Sequence, residues 1–225
     1  MAYWVLKAIL TPIFRLLWPV RVEGRENLPT RGPAVLAANH QSFCDSFFLP
    51  LVVPRKVTFL AKAEYFDSWR TAWFFRAAGQ IPISREGGSA SERALLTARR
   101  VLDRGGLLGL YPEGTRAIDD YVHKGRTGVS RLSRECAVPV IPVGILGTVD
   151  VQPVNSRWMR PRRPVTIRFG APMRMPPVTD PSDPFVDHDH TVCRGFTDRL
   201  MREIARLSER AYVDEYVPKR VRADA

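Results

Sequence analysis

The chain has 225 residues with an ordinary apolar share of 45%, enough to fill the core of one α/β domain without requiring two. Its 34 Lys and Arg against 23 Asp and Glu leave a net charge of +11, which favours anionic partners: a membrane surface, nucleic acid, acidic proteins or phosphorylated substrates. The three cysteines, Cys44, Cys136 and Cys193, have neither disulfide nor metal-ligand spacing, which excludes a disulfide-stapled scaffold and fits reduced thiols in the cytosol. The first residues lack a basic start followed by a small-residue cleavage site, so no secretory signal is expected. No uncharged apolar run approaches the ~20 residues of a spanning helix.

Residues 3–18 set Leu6, Ile9, Leu10, Ile13 and Leu17 at helical spacing, with Tyr3, Trp4 and Trp18 near the ends. This predicts an N-terminal amphipathic helix within a segment 1–19. Its aromatic ends suit a bilayer interface. The same stripe also suits packing on the protein's own core, and Pro12 interrupts a simple face.

A short strand follows over 20–24. The apolar run 33–38 reads as a buried strand, introduced by the turn residues Arg31-Gly32-Pro33. It leads into Asn39-His40-Gln41-Ser42-Phe43-Cys44-Asp45. A second apolar run, 47–53, reads as a helix, with Ser42 as N-cap and Asp45 three residues on. A histidine thus sits where a strand ends and a helix begins, the place where open α/β sheets gather ligands. A neutral imidazole there takes a proton from a hydroxyl near pH 7, and a carboxylate beside it fixes its tautomer. His40 in the loop and Asp45 in the first helical turn are able to converge. The alternative is that Asp45 only caps the helix. Cys44 reads as a packing residue.

Further strands are predicted over 56–61, 80–83, 107–111, 138–146 and 165–169, and helices over 68–78, 88–104, 127–136 and 191–216. Residues 119–123 read as a loop and 172–189, rich in Pro and Asp, as a connector. The alternation predicts an α/β fold: a central mostly parallel or mixed sheet flanked by helices, in a single domain. Its body spans 20–171, with the motifs at 33–149, and 172–225 form a connector and a basic C-terminal helix carrying Arg194, Arg199, Arg202, Arg206 and Arg210.

Three stretches besides the histidine loop carry chemistry. Gly79-Gln80-Ile81-Pro82-Ile83-Ser84-Arg85 delivers an arginine at a strand end, where a guanidinium grips phosphate oxygens, or else is simply solvated. In Tyr111-Pro112-Glu113-Gly114-Thr115-Arg116, Gly114 allows close backbone approach to an anion and Thr115 and Arg116 supply donors. Glu113 would hold a neighbouring donor in place; an ordinary capped turn is the alternative. Lys124, eight residues on, adds a cation. The stiff run Val138-Pro139-Val140-Ile141-Pro142-Val143-Gly144-Ile145 either lines a wall for an acyl chain or completes the core. Asp187-His188-Asp189-His190 has metal-binding residue types but no framing strand, and reads as a solvated loop.

In this order and spacing, NHQSFCD, GQIPISR, YPEGTR and VPVIPVGI resemble the four blocks of the glycerolipid acyltransferase family, which includes the 1-acyl-sn-glycerol-3-phosphate acyltransferases. The chain departs from the usual pattern at His123-Lys124-Gly125, where an aromatic-lysine-lysine-glycine run is common. The resemblance implies that His40 is the general base on the free hydroxyl of lysophosphatidic acid and that Asp45 orients it. The hydroxyl would attack the thioester of acyl-CoA or acyl-ACP directly, giving phosphatidic acid for phospholipid biosynthesis. Arg85, Glu113, Gly114, Thr115 and Arg116 would form the phosphate site, with Lys124 as a further candidate. No metal or redox cofactor is implied. The implied partners are a membrane surface with anionic lipids, a lysophospholipid acceptor and acyl-CoA or an acidic acyl carrier protein. The implied location is peripheral, on the cytoplasmic face of the cell membrane. Glycerol 3-phosphate, another lysophospholipid or a glycolipid would fit the same motifs as acceptor. The rival class is a noncatalytic basic binder of membrane or nucleic acid, using Arg157, Arg160, Arg162 and Arg163. No RNP-like strand or zinc pattern accompanies these arginines, and pure binding needs no base, so nucleic acid is not an expected partner.

Overall fold

The fold is built outward from one strand, Ala34–Ala38, whose five residues are all buried. Ala34, Leu36 and Ala38 face one apolar layer, and Val35 and Ala37 face the other. A period of two with both faces apolar places a strand in the middle of a sandwiched sheet. The computed structural model describes residues 1–83, 90–154, 156, 158–176 and 188–218.

The strands are β1 (Val20–Glu23), β2 (Ala34–Ala38), β3 (Val57–Lys62), β4 (Ile81–Ile83), β5 (Leu107–Leu110), β6 (Tyr121–His123), β7 (Val140–Leu146), β8 (Val165–Phe169) and β9 (Ala211–Val213). Seven of them form one sheet in the order β1-β8-β7-β2-β5-β3-β4. Every neighbouring pair is parallel except β7 and β8. The helices are α1 (Ala2–Leu17), α2 (Asp45–Val52), α3 (Trp69–Ala77), α4 (Ala90–Asp103), α5 (Gly128–Glu135), α6 (Thr148–Val151) and α7 (His188–Leu207). Phe48 and Leu49 of α2, Val151 of α6 and Trp18 just after α1 fill the layer on one face. Ala98 and Leu102 of α4, Val129 and Leu132 of α5, and Phe196, Leu200 and Ile204 of α7 fill the other. The expected fold class, a mostly parallel sheet flanked by helices with a helix at the N-terminus, is the one observed.

The first helix packs one side on the protein's own core and leaves apolar side chains exposed on the other. It runs through Pro12 without a break. Inward, Phe14 and Trp18 meet Phe48 with ring centroids 5.1 and 5.7 Å away. Lys7 Nζ donates to the carbonyls of Pro50, at 2.8 Å, and of Val53, capping the C-terminal end of α2 where helical carbonyls lack partners. Burial lowers this ammonium to about 8. Outward, Trp4, Val5, Ile9, Ile13 and Leu16 are exposed, and so are Trp69 and Trp73 on α3, which packs beside α1.

Two expectations fail at the C-terminal side. The helix forecast over 191–216 ends at Leu207, where the Ser208 hydroxyl turns back to the Ile204 carbonyl and Glu209 takes a positive φ of 53°. The chain then forms β9, paired in parallel with β6 inside the stretch 119–123 that reads as a loop. These two strands are three residues each, and neither has an alternation that marks it in the sequence. The arginine-rich helix is also not an appendage: its apolar side packs on β7. Gly144 permits that approach, since a Cβ there would lie 2.4 Å from the Leu207 carbonyl carbon.

Candidate active site

The histidine loop leaves the sheet at the C-terminal end of β2, between β5 and β7. Asn39 makes the exit sharp. Its side-chain amide donates to the Ile145 carbonyl at 2.9 Å and accepts from the Ile145 amide at 2.8 Å, so it replaces a ladder rung of β7 after the main chain has turned away. The His40 carbonyl accepts from Ala117 N at 2.8 Å, tying this loop to the one after β5.

His40 and Asp45 converge. Nδ1 of His40 lies 2.9 Å from Asp45 Oδ2. The same oxygen accepts from the Gln41 and Ser42 amides, both at 2.9 Å. Asp45 is therefore an orienter of His40 and a clamp on its own loop at once. It is buried, and its second oxygen, Oδ1, has no partner among the described residues. Ser42 is not the N-cap. The helix starts at Asp45, and the Ser42 hydroxyl instead donates to the Gln152 carbonyl at 2.9 Å. With Nδ1 held by a carboxylate acceptor, it carries the ring proton, and Nε2 is left as a base.

The His40 ring is stacked on Tyr111, with centroids 3.9 Å apart and planes 11° from parallel. Tyr111 OH and Ser46 Oγ are 3.0 Å apart, so the stacking partner is itself fixed to α2. Burial, and then the Asp45 charge, push the Tyr111 phenol above its ordinary range, so it stays neutral. In the sequence Tyr111 only precedes Pro112-Glu113-Gly114, and nothing there signals what its ring stacks on.

Glu113 holds neighbouring donors in place, the role the residues themselves suggested. Its two oxygens accept from His40 N at 3.0 Å and His123 N at 2.9 Å. It braces two loops rather than presenting its charge to a ligand. Burial raises its pKa to about 7 against the lowering effect of those two amides. Gly114, at φ 78°, turns the chain there.

His40, Gly114, Thr115 and Arg116 all line one cavity of about 960 Å³. It is bounded by β3 and β5, by α1 and α2 on one side and by α4 and α5 on the other. Leu10, Phe47 and Phe74 make one apolar wall and Leu95, Val129 and Leu132 another. Of the run 138–145, residues 140–145 lie in β7, and with Val138 they fill the core on both faces of the sheet. Arg85 lies outside the described residues. Lys124 is turned away: its Nζ pairs with Asp214 at 3.0 Å. Arg126, two residues on, lines the cavity instead. Of the 187–190 run, Asp187 lies outside the described residues and His190 is exposed on the first turn of α7. Among the described residues, no group of His, Cys, Asp and Glu is arranged to hold a metal ion.

A family model described as Acyltransferase matches residues 19–146, more than half of the chain. The chain belongs to the acyltransferase family. It is 29% identical over 140 residues to a chloroplastic 1-acyl-sn-glycerol-3-phosphate acyltransferase of Arabidopsis thaliana, covering 62% of this chain and 39% of that one. It is 26% identical over 140 residues to the Bacillus subtilis 1-acyl-sn-glycerol-3-phosphate acyltransferase, covering 61% of this chain and 68% of that one. The crystal structure of the 1-acyl-sn-glycerophosphate acyltransferase PlsC from Thermotoga maritima superposes with a TM-score of 0.68 at 26% identity, covering 91% of this chain and 78% of that one. The chain spans about two fifths of the length of the chloroplastic and algal relatives it matches. Within this acyltransferase domain, the matched stretch contains His40, Asp45, Glu113, Gly114, Thr115, Arg116 and Arg126 and ends at the last residue of β7.

Proposed function

We propose that the protein transfers a fatty acyl group from an acyl thioester, acyl-CoA or acyl-ACP, to the free hydroxyl of lysophosphatidic acid, giving phosphatidic acid. The observation that carries this reading is the His40–Asp45 contact at 2.9 Å on the wall of a cavity that also holds Gly114, Thr115 and Arg116. The apolar walls suit acyl chains, and the arginine and loop donors suit a phosphate. The names of the relatives point to the same acceptor.

The step runs without an acyl-enzyme. Nε2 of His40 takes the proton of the acceptor hydroxyl as its oxygen attacks the thioester carbonyl. The C–O bond forms, the C–S bond breaks, and the leaving thiolate takes the proton back from the imidazolium. The Asp45 carboxylate stabilises the imidazolium while it exists. The neighbouring nucleophile candidates are disabled. Burial, and then the Asp45 charge, push the Cys44 thiol up to about 12, and Ser42 is buried with its hydroxyl given to Gln152. Base, carboxylate and anion donors suffice for this reaction, with no metal or redox group needed.

The partner surface follows from α1 and α3. Among the described residues, no helix is long and apolar enough to cross a membrane. The exposed Trp4, Ile9, Leu16, Trp69 and Trp73 on a cationic protein fit peripheral attachment to an anionic leaflet, on the cytoplasmic face. The test is His40→Ala, read beside a thermal melt because it also removes the contacts with Asp45 and Tyr111. Turnover of the folded protein with lysophosphatidic acid should fall ~10²–10⁴-fold. A folded His40→Ala protein with near wild-type turnover would sink the mechanism.

A further inference from the structure

Of the two cations on the turn after β6, only one is available to a ligand. Lys124 is neutralised by Asp214 at 3.0 Å, whereas Arg126 has no carboxylate partner among the described residues and lines the cavity beside Gly114 and Arg116. Arg126 is held there from two sides. Its amide donates to the Pro112 carbonyl at 2.7 Å, fixing its backbone to the Glu113 turn. Its guanidinium lies over the Tyr216 ring, 5.3 Å from the centroid. Tyr216 belongs to a segment that the family model does not reach, since the match ends at residue 146.

That segment, 211–218, is fastened along the loop before Arg126. β9 pairs with β6. His123 Nδ1 lies 3.1 Å from the Glu215 carbonyl, which also accepts from Lys124 N at 2.9 Å. Arg210 meets Asp120 at 2.8 Å. Past Tyr216, Val217 and Pro218 themselves line the cavity that contains His40.

We propose that the segment 211–218 is part of the acceptor site: it clamps the β6 turn, sets Arg126 at the headgroup end through the Tyr216 ring, and walls that end with Val217 and Pro218. Arg126 is then a phosphate-binding residue and Tyr216 a positioning residue that acts through it. This rests on the acyl-transfer reading above.

The experiment compares Arg126→Gln, Tyr216→Ala, Tyr216→Phe and the double variant Arg126→Gln/Tyr216→Ala. Each is assayed with lysophosphatidic acid and with phosphate-free monoacylglycerol. Binding of a short-chain lysophosphatidic acid is measured separately in a His40→Ala background without acyl donor, so that no transfer occurs. Arg126→Gln should raise KM for lysophosphatidic acid about tenfold to a hundredfold. Tyr216→Ala should raise it about twofold to fivefold, with kcat little changed, and Tyr216→Phe should behave as wild type because the ring face is kept. The double variant should be no worse than Arg126→Gln alone. Tyr216 is half exposed, so the melting temperature should hold. Equal losses with both acceptors, or additive effects in the double variant, would overturn the strap. So would wild-type KM and affinity in all variants, and that outcome would leave the transfer reaction standing. A wild-type protein that neither acylates nor binds any phosphorylated glycerolipid would overturn both readings.

Discussion

Replacing Asp45 with Asn separates its charge from its geometry. Oδ2 accepts three hydrogen bonds, from Gln41 N, Ser42 N and His40 Nδ1. An asparagine carbonyl in that position still accepts all three, so His40 keeps its tautomer and orientation. Turning the amide round would set its NH₂ against two backbone amides and leave them unpaired, at about 1–3 kcal/mol each. The amide nitrogen therefore goes to the Oδ1 position, where the carboxylate oxygen already lacks a partner. What is lost is the attraction between carboxylate and imidazolium. Two unit charges about 4 Å apart at an effective dielectric near 20 attract by ~4 kcal/mol. At ~1.4 kcal/mol per decade, this sets an upper range of ~10²–10³ in kcat. The assay is steady-state acyl transfer at saturating donor and acceptor, read beside a thermal melt. Turnover within about threefold of wild type would show that the carboxylate charge does not matter to the step. A fall of ~10⁴ would show that the amide had turned and the tautomer flipped, against the preference the two backbone amides impose. Asp45→Ala should differ in kind: it strands both amides, at roughly 2–6 kcal/mol of stability.

Glu113 should make stability fall with rising pH where ordinary carboxylates make it rise. Its folded pKa, about 7, lies above the usual 4.5, so the folded state holds the proton more tightly, and this contribution is lost as pH climbs towards 7. The slope is at most ~1.4 kcal/mol per pH unit; unfolding curves from pH 5 to 7.5 should show it relative to Glu113→Gln, and parallel curves would refute it. Trp4→Ser with Ile9→Ser should weaken binding to anionic vesicles ~10–100-fold at an unchanged melting temperature, since both side chains are exposed; unaltered vesicle binding would remove α1 from the membrane surface. Arg116→Ala should raise KM about tenfold to a hundredfold for lysophosphatidic acid and little for monoacylglycerol. Equal defects would mean that Arg116 holds its loop together.

The parts of this molecule legible in sequence are those that follow from local periodicity and from one residue at a strand end. The run 33–38 reads as a buried strand, and the turn that follows it allows His40 and Asp45 to converge, as they do. The strand over 165–169 was readable to the residue, because its alternation is clean and prolines and glycines bracket it. Partners far apart in sequence were not readable. Tyr111 supports His40 from a different strand, Asn39 reaches β7 across 106 residues, and Lys7 caps α2 from 43 residues away. None of these residues departs from what an unremarkable strand, loop or helix would carry. The basic turn shows the limit most clearly. Lys124 and Arg126 are equivalent on paper: two cations flanking a glycine. The register of β9 decides between them, because it brings Asp214 to Lys124, while the Tyr216 ring lies 5.3 Å from the Arg126 guanidinium and 5.8 Å from Lys124 Nζ. A three-residue parallel pairing between segments almost 90 residues apart leaves no pattern in either segment, yet it determines which charge faces the cavity. Sequence motifs therefore locate the base and its carboxylate, which lie within one loop. The proposed anion-binding half of the same site draws on loops and a C-terminal strand that meet only in the folded chain.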